Sequence, residues 1–417
     1  MDYSRRNMLG TGAAIGLASI ASSAVAATPG NPDEPPQGIV NTQGNSRAAV
    51  DPGPQNPAIA GQFPSAFTPP PTDVGDLPQF WASFNNAPRR IQAGGWARQV
   101  TQSDFQISES ISGVNMRLDA GGLRELHWHL AAEWAYMTYG NCRVTVLDPQ
   151  GRAYVADVRE GDLWYFPSGY PHSLQGLGPD GCEFVICFDD GKASEYNTLL
   201  VTDWMIHTPP DVLALNFGMP AEAFGKMATH DLWIFQGTVP GPLAADQDAI
   251  RSPAGAPPNP FIFSLGSGPV ARQTKGGFVQ LADSSNFKIS TTVASALVTV
   301  HPGGMREMHW HPNADEWQYY IKGTAQMTVV GAGPKAVTTN FTPGDVGYIK
   351  RSNGHYVKNT GDTDLVFLEV FKASSYQNIS LSDWLSHTPP AMVAAHFNMS
   401  AQDIARIPNS NPDVVPL

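Results

Sequence analysis

Short runs alternating between apolar and polar residues recur along the chain, as in Arg143-Val144-Thr145-Val146-Leu147 and Ala325-Gln326-Met327-Thr328-Val329-Val330. A period of two turns one face of a strand toward a core and the other toward water. Many such strands, separated by turn-forming residues, predict an all-β protein of the barrel or jelly-roll kind. The stretches after Asp203 and Asp383 read as short helices closing each half and ending near Phe217 and Phe397.

The pattern occurs twice. Ala93-Gly94-Gly95-Trp96 returns as Lys275-Gly276-Gly277-Phe278, and Phe105-Gln106-Ile107-Ser108 as Phe287-Lys288-Ile289-Ser290, at an offset of about 182 residues. Late in each half, Asp203-Trp204 through His207-Thr208-Pro209-Pro210 returns as Asp383-Trp384 through His387-Thr388-Pro389-Pro390. Matches spread over the whole unit mean a duplicated domain. A chain of 417 residues is also longer than one core usually serves. The expected organisation is a leader over 1–26, a Pro-rich arm over 27–78, one domain over 79–236, a linker over 237–260 and a second domain over 261–417.

Composition agrees: 42% of residues are hydrophobic and 15% charged, with 40 Gly and 36 Pro, which suits strands and loops better than a helical bundle. The formal net charge of −12 argues against a nucleic-acid partner. It also means that any site for a small anion must supply its own positive charge, from a metal or an arginine. The cysteines, Cys142, Cys182 and Cys187, form neither a CxxC pair nor an even framework. They read as packing residues, with Cys182 and Cys187 on opposite faces of one strand.

The first residues, Ser4-Arg5-Arg6-Asn7-Met8-Leu9, a Gly/Ala-rich apolar run to Ile20 and Ala24-Val25-Ala26, read as a twin-arginine export signal with its cleavage site. The run is too short and too rich in glycine to span a bilayer, so no membrane attachment is expected of the mature chain, which would be periplasmic or extracellular. Export in the folded state would let a weakly binding ion such as manganese be installed before copper or zinc can compete. The arm, with 12 prolines between residues 28 and 78, reads as an extended segment suited to wrapping a neighbouring subunit.

The candidate chemistry sits in the repeat. His127 and His129, one residue apart on a predicted strand, share a face; Glu133 and His172 follow on later strands. The second copy holds His309, His311, Glu316 and His355. An isolated His-x-His pair has several ordinary roles. Two complete sets at matching spacing point instead to metal binding, and three imidazoles with one carboxylate suit six-coordinate manganese or iron better than a closed zinc site.

These residues carry a family resemblance. Gly121, His127, His129, Glu133 and Gly140 match the first cupin motif, as do Gly303, His309, His311, Glu316 and Gly323 with one more residue before the glutamate. Gly161, Pro167, Gly169 and His172 match the second motif, with Gly176 where Asn is usual. Its later copy keeps Gly344, His355 and Asn359 but has Lys350 and Ser352 for Pro and Gly. The resemblance implies two tandem cupin barrels.

From about residue 80 onward the chain resembles the bicupin oxalate decarboxylases, manganese enzymes in which dioxygen serves as redox cofactor. Arg124 and Arg306, each three residues before a ligand histidine, lie on the ligand strand, where a bidentate guanidinium can point at a metal-bound carboxylate. The segment from Phe188 to Thr202 resembles the family's lid, with Glu195 at its proton-moving glutamate, but Tyr196 and Asn197 replace Asn and Ser. Glu369 matches a second carboxylate considered as a proton donor near the C-terminal metal. On the residues alone Glu195 could equally be a solvated loop carboxylate.

The resemblance implies two manganese ions per chain, oxalate as substrate and a homo-oligomer, trimer or hexamer. An oxalate oxidase, a cupin dioxygenase and a non-enzymatic storage bicupin are the rival readings, since fold alone does not settle chemistry.

Overall fold

The computed structural model describes residues 56–61, 63 and 69–416. The export leader and most of the Pro-rich arm lie outside the described residues. From Trp81 onward the chain forms two antiparallel β-barrels.

In the first barrel the fifteen-residue strand Glu133–Leu147 is the long staple. Its beginning pairs with Leu163–Phe166 and Cys182–Phe188, and its end with Ala153–Arg159 and His172–Gly176. Between the two stretches the chain turns at Gly140, whose φ of +72° is left-handed and where a Cβ would stand 2.1 Å from the Gly181 carbonyl oxygen. Only glycine fits there. In the second barrel the same job is split between Glu316–Lys322 and Ala325–Gly331, with Gly323 at the corner.

Gly176, where the motif usually has Asn, has a comparable cause: a Cβ there would meet the Asp119 carbonyl oxygen at 2.2 Å. In the second barrel Asn359 fills the position and bonds the Val300 and Thr363 carbonyls at 2.9 and 2.8 Å.

Alternation within one strand serves two cores. Ala135 and Met137 point into the first barrel, whereas Trp134 and Tyr136 face the second, where they join Phe287, Trp317, Tyr348 and Leu368 in an apolar layer between the barrels. Each such aliphatic or Phe side chain removed from water stabilises the pairing by roughly 1.5–3 kcal/mol. Cys182 faces the barrel interior and Cys187 the layer between barrels; all three cysteines are buried and unpaired.

The halves also exchange edges. Trp81–Ser83, leading into the first barrel, pairs with Asp345, Val346 and Gly347 of the second. Its repeat, Ile262–Phe263, leading into the second barrel, pairs with Leu163 and Trp164 of the first. Boundaries at 79 and 261 therefore assign each of these strands to the barrel it precedes rather than the one it joins. The described end of the arm runs on the second barrel of the same chain, where Val74 and Ala336 exchange backbone hydrogen bonds of 2.9 and 2.8 Å.

Short helices follow each barrel as the sequence predicts: Val201–Ile206 and Pro210–Phe217 after the first, Leu381–Ser386 and Pro390–Phe397 after the second. Among the described residues, no helix is long and apolar enough to cross a membrane.

Candidate metal centres and their arginines

The strand Gly122–Trp128 carries Arg124 and His127, and His129 follows its end. His127 lies opposite His172 on the neighbouring strand, and Glu133 opens the long strand beside them. One ligand atom from each of His127, His129, Glu133 and His172 lies within 4.8 Å of all the others, and His309, His311, Glu316 and His355 do the same in the second barrel.

The ring orientations suit a cation. His172 Nδ1 is 2.8 Å from the Tyr170 carbonyl, His309 Nδ1 2.7 Å from that of Glu307, His311 Nδ1 2.7 Å from that of Gln377, and His127 Nδ1 contacts that of Glu125. A carbonyl accepts only, so Nδ1 carries the proton and Nε2 presents a lone pair. Yet the Nε2 atoms of His309 and His311 lie 3.1 Å apart.

His129 Nε2 stands 3.1 Å from Glu133 Oε2, and His355 Nε2 2.9 Å from Glu316 Oε2, without hydrogen-bond geometry. Lone pairs converging in a buried space need a shared positive ion, so the residues present fit a metal in both barrels.

Electrostatics point the same way. Burial, and then the neighbouring arginine, pushes the imidazoles of His127 and His309 well below their usual range, keeping them neutral and ready to ligate. Burial alone would raise the carboxyls of Glu133 and Glu316, but the adjacent imidazoles outweigh it and hold both well below the carboxylate range. Each carboxylate is also steered: Trp164 Nε1 donates to Glu133 Oε1 at 2.8 Å, and Gln318 Nε2 to Glu316 Oε1 at 2.7 Å.

Arg124 and Arg306 point inward and are fully buried. A residue three before an inward histidine should face outward on a regular strand. A β-bulge between Arg124 and His127, repeated between Arg306 and His309, reverses the alternation.

Arg124 meets Glu195: its Nε donates to Glu195 Oε1, its Nη1 to the Trp233 carbonyl at 3.1 Å and its Nη2 to Thr198 Oγ1 at 2.9 Å. Glu195 is 1% exposed, in a one-turn 3-10 helix, Glu195–Asn197, capped by Ser194, so it is no solvated loop carboxylate. Its Oε2 is buried and has no hydrogen-bond partner among the described residues. The turn is moored by Gln99 Oε1, which accepts from Ser194 Oγ at 3.0 Å and the Glu195 amide at 3.2 Å.

The second barrel solves the same problem with other residues. Arg306 Nε donates to Glu369 Oε1 at 3.0 Å, and Glu369 stands on the barrel wall strand Leu365–Phe371, not on a lid. Arg306 Nη1 reaches the carbonyl and Oδ1 of Asp413 at 2.9 and 3.3 Å, and Nη2 the Tyr376 hydroxyl at 2.7 Å. Burial, against the pull of Arg306, raises the Glu369 carboxyl.

Sequence reasoning missed several members. Glu125 and Glu307 are buried carboxylates behind the ligand strands, Glu125 accepting from the Leu232 and Trp233 amides at 2.8 Å each and Glu307 from Ser380 Oγ at 2.7 Å. Their recurrence two residues before His127 and His309 was the available signal. Trp233 and Asp413 offered none, because unlike residues fill one position of the repeat.

The cupin family profile matches this chain over residues 82–223 and 265–405. Oxalate decarboxylase OxdC of Bacillus subtilis (strain 168) is 49% identical over 347 residues, 83% of this chain and 89% of that protein. A probable oxalate decarboxylase of Arthroderma benhamiae is 38% identical, covering 87% of each. Among solved structures, one of the Bacillus subtilis oxalate decarboxylase, from work on its Mn(II) centres, superposes with a TM-score of 0.84 at 46% identity, covering 87% of this chain and 96% of that one.

Proposed function

The chain belongs to the cupin family, among the bicupin oxalate decarboxylases, and we propose that it converts oxalate to formate and carbon dioxide at the first barrel's metal centre. The observation that carries this is Glu195: a buried acid with one oxygen on Arg124 and the other without a partner among the described residues, beside a cluster of three imidazoles and one carboxylate.

His127, His129, Glu133 and His172 would hold a manganese ion, and a like set the second; manganese with dioxygen as cofactor would supply a reversible one-electron oxidation, weakening the carbon–carbon bond of oxalate and returning the electron to the one-carbon fragment once carbon dioxide has left. Arg124 provides the positive charge an acidic chain needs to hold a dianion, and its fork suits a carboxylate. Two of its three partners, Glu195 and Thr198, come from one short segment, so displacement of that segment frees the guanidinium for substrate. With substrate on Arg124 and the segment closed over it, Glu195, no longer paired with the guanidinium, delivers a proton to the carbon left after carbon dioxide departs, while burial keeps water out.

Glu369 and Arg306 serve the second centre in support. The reading extends to export by the twin-arginine route into the periplasm or medium, and to a trimer or hexamer. Exposed apolar residues on the terminal helices, among them Trp204, Leu215, Trp384 and Phe397, support an oligomer.

The test is to incubate metal-loaded full chain with oxalate at mildly acidic pH and measure formate against hydrogen peroxide. Formate is expected; peroxide in its place means an oxalate oxidase, and neither product a binding or storage bicupin.

A further inference from the structure

Trp233 is a bulky aromatic at φ +50°, a left-handed conformation that such residues rarely adopt. Conformations of this kind persist where the surroundings over-determine them, and here they do. The Trp233 amide donates to Glu125 Oε2 at 2.8 Å, and its carbonyl accepts from the Glu125 amide at 2.9 Å and from Arg124 Nη1 at 3.1 Å. Its indole Nε1 donates to the Glu195 carbonyl at 3.3 Å. Arg90 lies over the ring at 4.0 Å, and Tyr196, the lid residue that departs from the family pattern, packs edge-on at 5.8 Å. One residue thus touches both members of the Arg124–Glu195 pair.

The second barrel places Asp413 at the matching point. It has a φ of +59°, also precedes a short strand paired to the ligand strand, and repeats the backbone bonds, receiving Arg306 Nη1 and the Glu307 amide on its carbonyl at 2.9 and 3.0 Å. The side chain differs. Asp413 Oδ1 adds a charged contact to Arg306, and Oδ2 lies 3.1 Å from Arg272 Nε. Arg306 is therefore held between two buried carboxylates, Glu369 and Asp413, and neither belongs to a lid. Arg124 has a single carboxylate among the described residues, Glu195, on the short helix Glu195–Asn197 rather than on the barrel wall.

We propose that Trp233 is the positioning residue of the first centre: it seats the guanidinium and the lid acid together while adding no charge, which leaves Arg124 able to take a dicarboxylate. An acid at this point, as in the second barrel, neutralises the arginine and excludes a small diacid. The inference rests on the oxalate reading for its ligand, but not for its lid contact.

The experiment uses manganese-loaded full chain carrying W233F, W233N or W233D. Asn and Asp share size and tolerance of left-handed backbone and differ in charge. Both should keep two ions per chain, and the KM of W233D for oxalate should exceed that of W233N at least tenfold with kcat little different. The oxalate concentration that perturbs the manganese paramagnetic-resonance signal under nitrogen should rise in parallel.

W233F keeps the ring and loses the indole N–H. It should leave KM within twofold of the parent, lower kcat several-fold and speed amide hydrogen exchange over residues 194–198. Equal KM values in W233N and W233D overturn the proposal, as does a W233F protein identical to the parent in both kcat and lid exchange. If neither polar variant folds, W233F alone decides. Should the parent release no formate, the oxalate reading falls, and the exchange comparison still tests the seat of the lid.

Discussion

Trp164 donates its indole N–H to Glu133 Oε1 at 2.8 Å, across a pair of strands on which both side chains are buried. This fixes which carboxylate oxygen is left to face the imidazoles. Bonds of this type to a metal ligand commonly carry 10–100-fold in metal affinity. Trp164→Phe is expected to weaken metal binding in the first barrel by about that factor and leave the second, where Gln318 does the same work for Glu316, unchanged. Competition with a chelator, read as ions bound per chain, checks it; loss from both barrels together would contradict the assignment.

Glu195→Gln keeps the side chain's shape and removes the transferable proton. General acid–base groups contribute about 10²–10⁴ in rate, so formate release should fall by a factor in that range while both ions stay bound. Product analysis by formate and peroxide assay is the measurement, and an undiminished formate rate rules out the role.

Metal removal should expose a pH dependence. Without an ion, burial holds the folded imidazoles of His127 and His309 well below the unfolded value of ~6.5. Below that pH the unfolded chain binds more protons than the folded one, so stability is lost as pH falls and is complete above it. The depressed carboxyls of Glu133 and Glu316 act in the same direction below pH ~4.5. Chelated protein should therefore show a melting temperature that drops steadily from pH 7 to 4.5. A flat profile would mean that these imidazoles are not buried as neutral groups.

Arg306→Met leaves Glu369 and Asp413 buried without their shared cation, although Arg272 still reaches Asp413. Removing one member of a buried ion pair costs about 3–5 kcal/mol. Urea denaturation should show a loss of that size, and restoration of much of it in the double variant that also carries Glu369→Leu.

Trp317, fully buried in the layer between barrels, offers a test of the paired architecture. Trp317→Ala should cost about 3–5 kcal/mol. The shift belongs in the denaturation midpoint with the slope unchanged, since the native fold persists.

Much of this arrangement was legible in residue order. A repeat offset of about 182 announced two equivalent domains, alternation announced strands, and two sets of three histidines and a glutamate announced the metal clusters, because ligand geometry on a strand follows directly from a period of two. Glu195 was legible only through family resemblance, because a loop glutamate carries no periodic signal; Arg124 was legible as a residue of the ligand strand, but its inward direction was not, since a residue three before an inward histidine lies on the wrong face by simple counting.

What residue order determined by itself was therefore what depends on local spacing: the duplicated all-β fold, the short terminal helices and the eight candidate ligands. Tertiary structure alone decided the rest. It supplied the bulge that turns Arg124 and Arg306 inward and exchanged Trp81–Ser83 and Ile262–Phe263 between barrels. It also brought Trp233 and Asp413, each more than a hundred residues along the chain, against their arginines. The reason is physical. A buried guanidinium must find acceptors wherever the closed barrel offers them, and which segment arrives there is set by packing over the whole sheet rather than by the residues next in line.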